Sequence, residues 1–281
     1  MASKPLHPQS EEPELRIVVL GQTGVGKTAA VHTILGHEFS STNLSPSSET
    51  GTCMRMTGKH EGQALTIVDT PGLFHTDKQH EEVIKEIVQC IAFTLPGPHV
   101  FLLVIRFGAF TKHDKKVLEV FQKVFQNAKR YTMVLFTFGD PGEVQDQCQA
   151  FIESSETLKK FIDESCEAYH VINSEVKDDS QVPGLLQKIN NMVQKNENER
   201  SYYSNETFKE AENAFEEMMK SPEAKSEGDP KEKFMVTLEG WISKGLAKLE
   251  GQAPGYFTLV RRFLTKVEEV AYDCMPPEAF Q

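Results

Sequence analysis

The chain has few of the features that mark a staple, an anchor or a nucleic-acid partner. Its five cysteines (Cys53, Cys90, Cys148, Cys166 and Cys274) are scattered, odd in number and without a CxxC pair. That spacing argues against a disulfide framework and a zinc site, and it suits a reducing, cytoplasmic compartment. No run of 18 apolar residues occurs, so no transmembrane helix is expected. Residues 1–13 are polar and hold three prolines. They lack the apolar stretch of a signal peptide, and Ala2 stands where myristoylation needs glycine, so a flexible tail is expected. Basic charge is in the minority: 30 Lys and Arg face 41 Asp and Glu, for a net charge of −11. No nucleic-acid footprint is expected from that balance. The histidines, including His75, His80 and His113, show no metal-like spacing, and no internal repeat is visible. With 281 residues and 39% hydrophobic content, the chain can bury one ordinary domain and carry an extension.

What is present begins with Gly21-Gln22-Thr23-Gly24-Val25-Gly26-Lys27-Thr28. The outer glycines allow a tight turn that points successive backbone N–H groups at phosphate oxygens. Lys27 supplies a point charge for the β- and γ-phosphates, and the Thr28 hydroxyl can ligate Mg²⁺. The apolar run Leu15–Leu20 precedes the loop as a buried strand should. A helix from Ala29 follows and sets its positive end under the phosphates. Strand, loop and helix stand in the order a phosphate-binding P-loop requires.

Residues 36–51 are polar and rich in Ser and Thr. A loop of this kind inside a domain is usually functional. It holds the place of switch I in GTPases. Thr50 is the leading candidate to sense Mg²⁺ and the γ-phosphate, Thr52 the second, and Thr42 a candidate for an earlier nucleotide contact. Residues 53–60 alternate in polarity and read as an edge strand. Residues 64–68 form a further strand that runs into Asp69-Thr70-Pro71-Gly72. An acidic residue at that strand end can hold Mg²⁺ directly or through water. Gly72 can turn its N–H toward the γ-phosphate. Leu73 stands where Ras-type GTPases keep the glutamine that orients the attacking water, so intrinsic hydrolysis is expected to be slow. Residues 74–79 are a switch II candidate.

Helices are expected over 81–94 and 115–129, the second capped by Thr111 with Asp114 in its first turn. Residues 100–105 and 131–136 read as buried strands. The second ends in Thr137-Phe138-Gly139-Asp140, the base-reading position. A carboxylate at Asp140 can accept two hydrogen bonds from guanine that adenine does not offer. Thr137 and Phe138 replace the asparagine and lysine of the common Asn-Lys-x-Asp pattern. A polar-faced helix is expected over 145–166, a last strand over 168–172, and a closing helix over 182–194. Asn173 follows that last strand, beside the base.

With these motifs in place, residues 15 to about 196 resemble the septin-related GTPases of immunity-associated proteins. This is the GIMAP family, also called avirulence-induced-gene-type GTPases. The telling stretch is LPGPHVFLLVIRFGAFTKHD, residues 95–114, which is similar to the family's box between the DxPG loop and the base-reading loop. The resemblance implies GTP or GDP with Mg²⁺ as ligands, and dimers or oligomers formed around the nucleotide in the GTP state. One departure stands out. The family box carries an arginine where this chain has Ala109. An arginine finger can be worth roughly 10³–10⁵ in rate. Arg106 lies three residues upstream, on a strand, and is a speculative replacement.

The expected fold class is α/β: a P-loop GTPase domain with a mostly parallel central sheet flanked by helices, plus a helical C-terminal extension. The expected division is a tail over 1–13, a G domain over 14–196 and the extension over 197–281. The stretch 196–233 carries eleven acidic and six basic side chains. Helices are expected over 205–220, 234–249 and 257–271. The last has an apolar stripe of Leu259, Val260, Phe263, Leu264, Val267 and Val270. That stripe can fold on the rest of the chain or dock to a protein partner or a membrane surface. Two other functions stay open: a nucleotide-dependent interaction scaffold with negligible turnover, and a P-loop kinase or ATPase. The absence of an Arg-rich lid speaks against the last.

Overall fold

The computed structural model describes residues 14–36, 39–42, 53–72, 80–138, 144–175, 180–197, 200–221, 228–244 and 256–274. Seven strands form one sheet in the order β2-β3-β4-β1-β5-β6-β7. They are β1 (Leu15–Leu20), β2 (Phe39–Thr42), β3 (Met54–His60), β4 (Gln63–Asp69), β5 (Val100–Arg106), β6 (Thr132–Thr137) and β7 (Ala168–Ile172). From β4 through β7 every pairing is parallel, while β3 runs antiparallel to both of its neighbours, β2 and β4. β1, β5 and β6 are near-continuous apolar runs because helices cover both of their faces.

One face is covered by α1 (Lys27–Leu35) and α6 (Gln181–Asn196), whose apolar residues share a core with Ile17, Leu102 and Leu135. The other face carries α2 (His80–Thr94), α3 (Lys112–Val124), α4 (Val144–Glu153) and α5 (Glu156–Ser165). The start of α3 is fixed by a capping box. Asp114 N donates to Thr111 Oγ1 at 3.2 Å, and Thr111 N donates to the Asp114 carboxylate at 2.8 Å.

The extension forms α7 (Glu206–Lys220), α8 (Pro230–Lys244) and α9 (Phe257–Cys274). These pack on the same face as α2 and α3. Val260, Phe263, Leu264 and Val267 of α9 are buried in that core together with Phe208, Ala211 and Met218 of α7. Burial of such a side chain contributes about 1.5–3 kcal/mol. The stripe of α9 is therefore covered within the chain. Arg262 and Glu210 close its edge at 2.7 Å, and Gln89 of α2 donates to Glu239 of α8 at 2.8 Å.

The box at residues 95–99 proves to be a docking joint for this extension. Gly97 is used because the chain passes so close. A Cβ there would lie 1.9 Å from the Tyr203 carbonyl oxygen. Tyr203 N donates to the Pro98 carbonyl at 2.8 Å, and its ring packs edge-on against Phe101, Tyr131 and Phe208. Arg16 donates through Nε to the Gly97 carbonyl at 2.8 Å. Its backbone N–H bonds His99 Nδ1 at 2.9 Å.

Two expectations are corrected. Residues 53–60 are not an edge strand: β3 lies between β2 and β4, and the edge is β2. The sequence FSST of β2 has one large apolar residue and gives no alternating signal, so only its pairing with β3 reveals it. The single helix expected over 145–166 is two. It breaks before Ser155, whose hydroxyl accepts from Leu158 N at 3.3 Å and restarts the chain as α5.

Candidate functional site

The site is assembled at the carboxyl ends of β1, β4 and β6. The loop after β1 ends at Gly26, whose left-handed backbone starts α1. Val25 is buried, while Thr23, Gly24, Thr28 and Ala29 are exposed along the loop and the first helical turn. Lys27 is 6% exposed, and its Nζ reaches back to the Gln22 carbonyl at 2.6 Å. The loop thus folds around its own cation.

β4 delivers Asp69 to the same point. Thr28 Oγ1 donates to Asp69 Oδ2 at 2.5 Å, across 41 residues of sequence. Asp69 is 6% exposed, and its other oxygen, Oδ1, has no hydrogen-bond partner. Burial pushes its carboxyl above the usual carboxylate range, opposed by the Thr28 hydrogen bond and by the charge of Lys27. An orphaned buried oxygen is costly unless another group completes it.

Gly72 follows at φ +115°, and a Cβ on it would meet Thr23 Oγ1 at 2.5 Å. That closeness brings the DxPG turn directly onto the loop. Thr23 Oγ1 also donates to the Pro71 carbonyl at 3.2 Å. Thr70, a residue sequence reasoning passed over, donates to the Val19 carbonyl at 2.8 Å and ties β4 to β1.

β6 brings Thr137 and Phe138, the described part of the stretch expected to read the base. Thr137 is buried, and its hydroxyl donates to the Val25 carbonyl at 2.6 Å. Thr137 thus tethers its strand to the glycine-rich loop after β1. Phe138 comes next, with its ring under the guanidinium of Arg106 at 4.4 Å. Arg106 is exposed at the end of β5. Ala109 N donates to the Arg106 carbonyl at 3.2 Å in the turn that follows. Asn173 lies at the end of β7. Its side-chain oxygen accepts from Glu175 N at 3.0 Å, and its backbone N–H donates to Gln181 Oε1 at 2.7 Å. It shapes its own loop. Thr42 ends β2. Thr50, Thr52, Leu73, Gly139, Asp140 and the switch II candidate at 74–79 lie outside the described residues.

Among the described residues no group of three or more His, Cys, Asp or Glu is placed to hold a metal by itself. No helix among them is long and apolar enough to cross a membrane.

The comparisons agree with this architecture. The chain is 31% identical over 222 residues to human GTPase IMAP family member 8, a match that covers 77% of this chain and 32% of that protein. It is 29% identical over 236 residues to Immune-associated nucleotide-binding protein 9 of Arabidopsis thaliana, covering 78% of this chain and 65% of that one. It therefore spans about a third of the first relative and just under two thirds of the second. Among solved structures it is similar to the chloroplast translocon GTPase components atToc33 and psToc159. The TM-score is 0.52 at 19% identity, over 69% of this chain and 87% of that one, which is a likeness of fold. Residues 15–222 match the model of the AIG1 family. The chain belongs to the AIG1 family.

Proposed function

We propose that the chain binds GTP and GDP together with Mg²⁺, self-associates in the GTP state and hydrolyses GTP slowly. One observation carries the reading: the phosphate loop, its buried lysine and a partnerless Asp69 oxygen meet at one point. In this reading the backbone N–H groups from Gly21 to Ala29 cradle the phosphates, and Lys27 offsets their charge. A hydroxyl and a carboxylate with a vacant lone pair suit a hard divalent cation, so Thr28 and Asp69 would hold Mg²⁺, with Thr50 joining from switch I. The ion would neutralise charge on the phosphate oxygens. Thr42, Gly72, Thr137, Gly139 and Asn173 complete the nucleotide contacts, and Asp140 selects guanine. Residues 14–196 are the nucleotide-binding unit, and 197–281 its helical extension. A cytoplasmic location accords with the sequence.

Dimerization is important for the GTPase activity of atToc33 and psToc159. That supports, by analogy of fold, a site completed between two copies here. A second reading is a scaffold with negligible turnover. Leu73 cannot orient water, Ala109 supplies no cation, and the Arg106 guanidinium is stacked on its own chain's Phe138.

Titration with fluorescent GDP tests the main reading. Binding should weaken at least ~10-fold when EDTA replaces Mg²⁺, and ATP should not compete. Affinity unaffected by Lys27→Ala would overturn the assignment. Turnover per protomer, followed from nanomolar to tens of micromolar protein, separates the two readings. A rise with concentration means self-activation. A flat, near-zero rate means a scaffold.

A further inference from the structure

Two of the chain's thiols meet in its interior. Cys53 Sγ and Cys90 Sγ lie 4.0 Å apart, although 37 residues separate them in sequence. Both are buried, at 3% and 1% exposure, and neither is in a disulfide. Cys90 sits within α2. Cys53 stands just before β3, whose ladder to β4 begins at Met54. One turn of α2 holds Cys53 in place. The Cys53 N–H donates to Gln89 Oε1 at 3.0 Å, and its thiol lies 3.9 Å from the Glu86 carbonyl. Gln89 donates in turn to Glu239 of α8 at 2.8 Å. The backbone of Cys53 is thus set against the helix by a bond that does not involve its sulfur.

A disulfide brings its sulfurs to about 2.05 Å, so a gap of about 2 Å is left to close. Rotation about χ1 of Cys53 closes it, because no helix restricts that rotamer, whereas Cys90 is held within one. Burial pushes the Cys148 thiol up to about 11, against the charge of Lys188, and the Cys166 thiol further. Neither of those is a ready nucleophile at neutral pH. We propose that Cys53 and Cys90 are a reversible modification site, a dithiol that a peroxide converts to a disulfide within the folded chain. One thiolate displaces hydroxide from hydrogen peroxide and becomes a sulfenic acid. The second thiolate attacks that sulfur, forms the S–S bond and expels a second hydroxide. The two protons given up by the thiols turn both hydroxides into water. Each sulfur gives up one electron, and the peroxide oxygens take the two. The bond closes a loop over residues 53–90, which carries β3, β4 and Asp69, and fastens that segment to α2. Disulfides in reducing compartments are as a rule transient and redox-sensing, and a pair in van der Waals contact while reduced suits that use. The chemistry is independent of nucleotide.

The test treats the full chain with hydrogen peroxide in the absence of denaturant. Intact mass and non-reducing peptide mapping are the readouts. The expected product is a monomer lighter by about 2 Da, the loss of two hydrogens, with Cys53 and Cys90 in one cross-linked pair of peptides. Dithiothreitol should restore both thiols. Cys53→Ala and Cys90→Ala should each abolish the cross-link and leave the remaining cysteine as a sulfenic acid that dimedone traps. The two variants lie on different elements, so the test stands should one of them fail to fold. Closing a loop of this length should raise the urea midpoint of the wild type by roughly 1 M, with no rise in either variant. Peroxide that leaves every thiol of the folded chain unmodified would overturn the site and leave the pair as core packing. So would a Cys53–Cys90 bond that forms only in urea. Sulfinic acid on either residue without the cross-link, or a preferred bond through Cys148, Cys166 or Cys274, would overturn it as well. A cross-linked chain with an unmoved midpoint would overturn the fastening of residues 53–90.

Discussion

The two ends of the parallel strands are finished in opposite ways. At the amino ends of β1 and β5, Arg16, His99 and Tyr203 are 9%, 8% and 2% exposed, and each is bonded or stacked within the chain. At the carboxyl ends, Asp69 is 6% exposed and keeps one oxygen without a partner. Phe138 stands in a left-handed conformation at the same end, and Thr28 and Ala29 face solvent. Burial alone does not separate the two ends. The difference lies in the charged and titratable groups named: Arg16, His99 and Tyr203 are bonded within the chain, whereas Asp69 Oδ1 is not, although Ser204 Oγ beside Tyr203 also lacks a partner. The first end holds the extension to the sheet, and the second is the one at which a ligand is proposed.

The sharpest way to break the comparison is to strike each end separately. Gly97→Ala puts a Cβ into the Tyr203 carbonyl, an atom that moves only with its backbone. A loss of about 3 kcal/mol in urea unfolding of nucleotide-free protein is expected, because overpacking against main chain has no cheap relaxation. GDP affinity of the protein that remains folded should stay within twofold. Lys27→Ala should do the reverse. GTP affinity should fall by roughly 100-fold, about 2.7 kcal/mol, for loss of a charged phosphate contact. The unfolding midpoint without nucleotide should move little. If both variants change both readouts equally, the two ends are not independent.

Acid sharpens the contrast. Burial, with the nearby charges of Arg16 and Lys231, pushes His99 down to about 3. Burial and Lys188 push His170 down to about 4. Both stay neutral in the folded chain, whereas the unfolded chain takes up protons below about pH 6.5. Stability is thus complete above pH 6.5 and is lost as the pH falls toward those lowered values. Between pH 7.5 and 5.5 the loss should be about 1 kcal/mol for each histidine. Urea unfolding of His99→Asn should show a shallower pH dependence over that span. An unchanged slope would mean that His99 is not held neutral.

The smallest expected effect is at the tether. Thr137→Ala removes the hydrogen bond to the Val25 carbonyl. A stability loss of about 1 kcal/mol is expected, with GDP weakened several-fold. A stability loss without any change in affinity would place Thr137 with the first end.

The features legible in the sequence were local. The loop after β1 shows its glycines, lysine and threonine within eight successive positions. β1 came out with the expected bounds because a buried parallel strand is one apolar run. Thr111 announced its capping box through Asp114, three residues on. β2 escaped because it is a strand only through its pairing with β3. The break before Ser155 was hidden inside a continuous polar-faced pattern. The LPGPH stretch was noticed as a family signature, but its task became visible only when Tyr202 and Tyr203 arrived beside it.

By itself the sequence determined a glycine-rich loop between a buried strand and a helix, an acidic residue at the end of a later strand, and amphipathic helices after residue 205. Each is set by backbone conformation, charge or periodicity within a few neighbouring residues. The tertiary structure alone decided which distant groups complete one another. Thr28 meets Asp69 across 41 residues, Thr137 meets Val25 across 112, and Arg55 meets Asp229 across 174. It also decided that the stripe of α9 is spent on the chain's own core. Local pattern specifies what a segment can bury or bind. Which partner it takes is settled only when close packing brings the elements together, because burial is non-directional and a hydrogen bond is not.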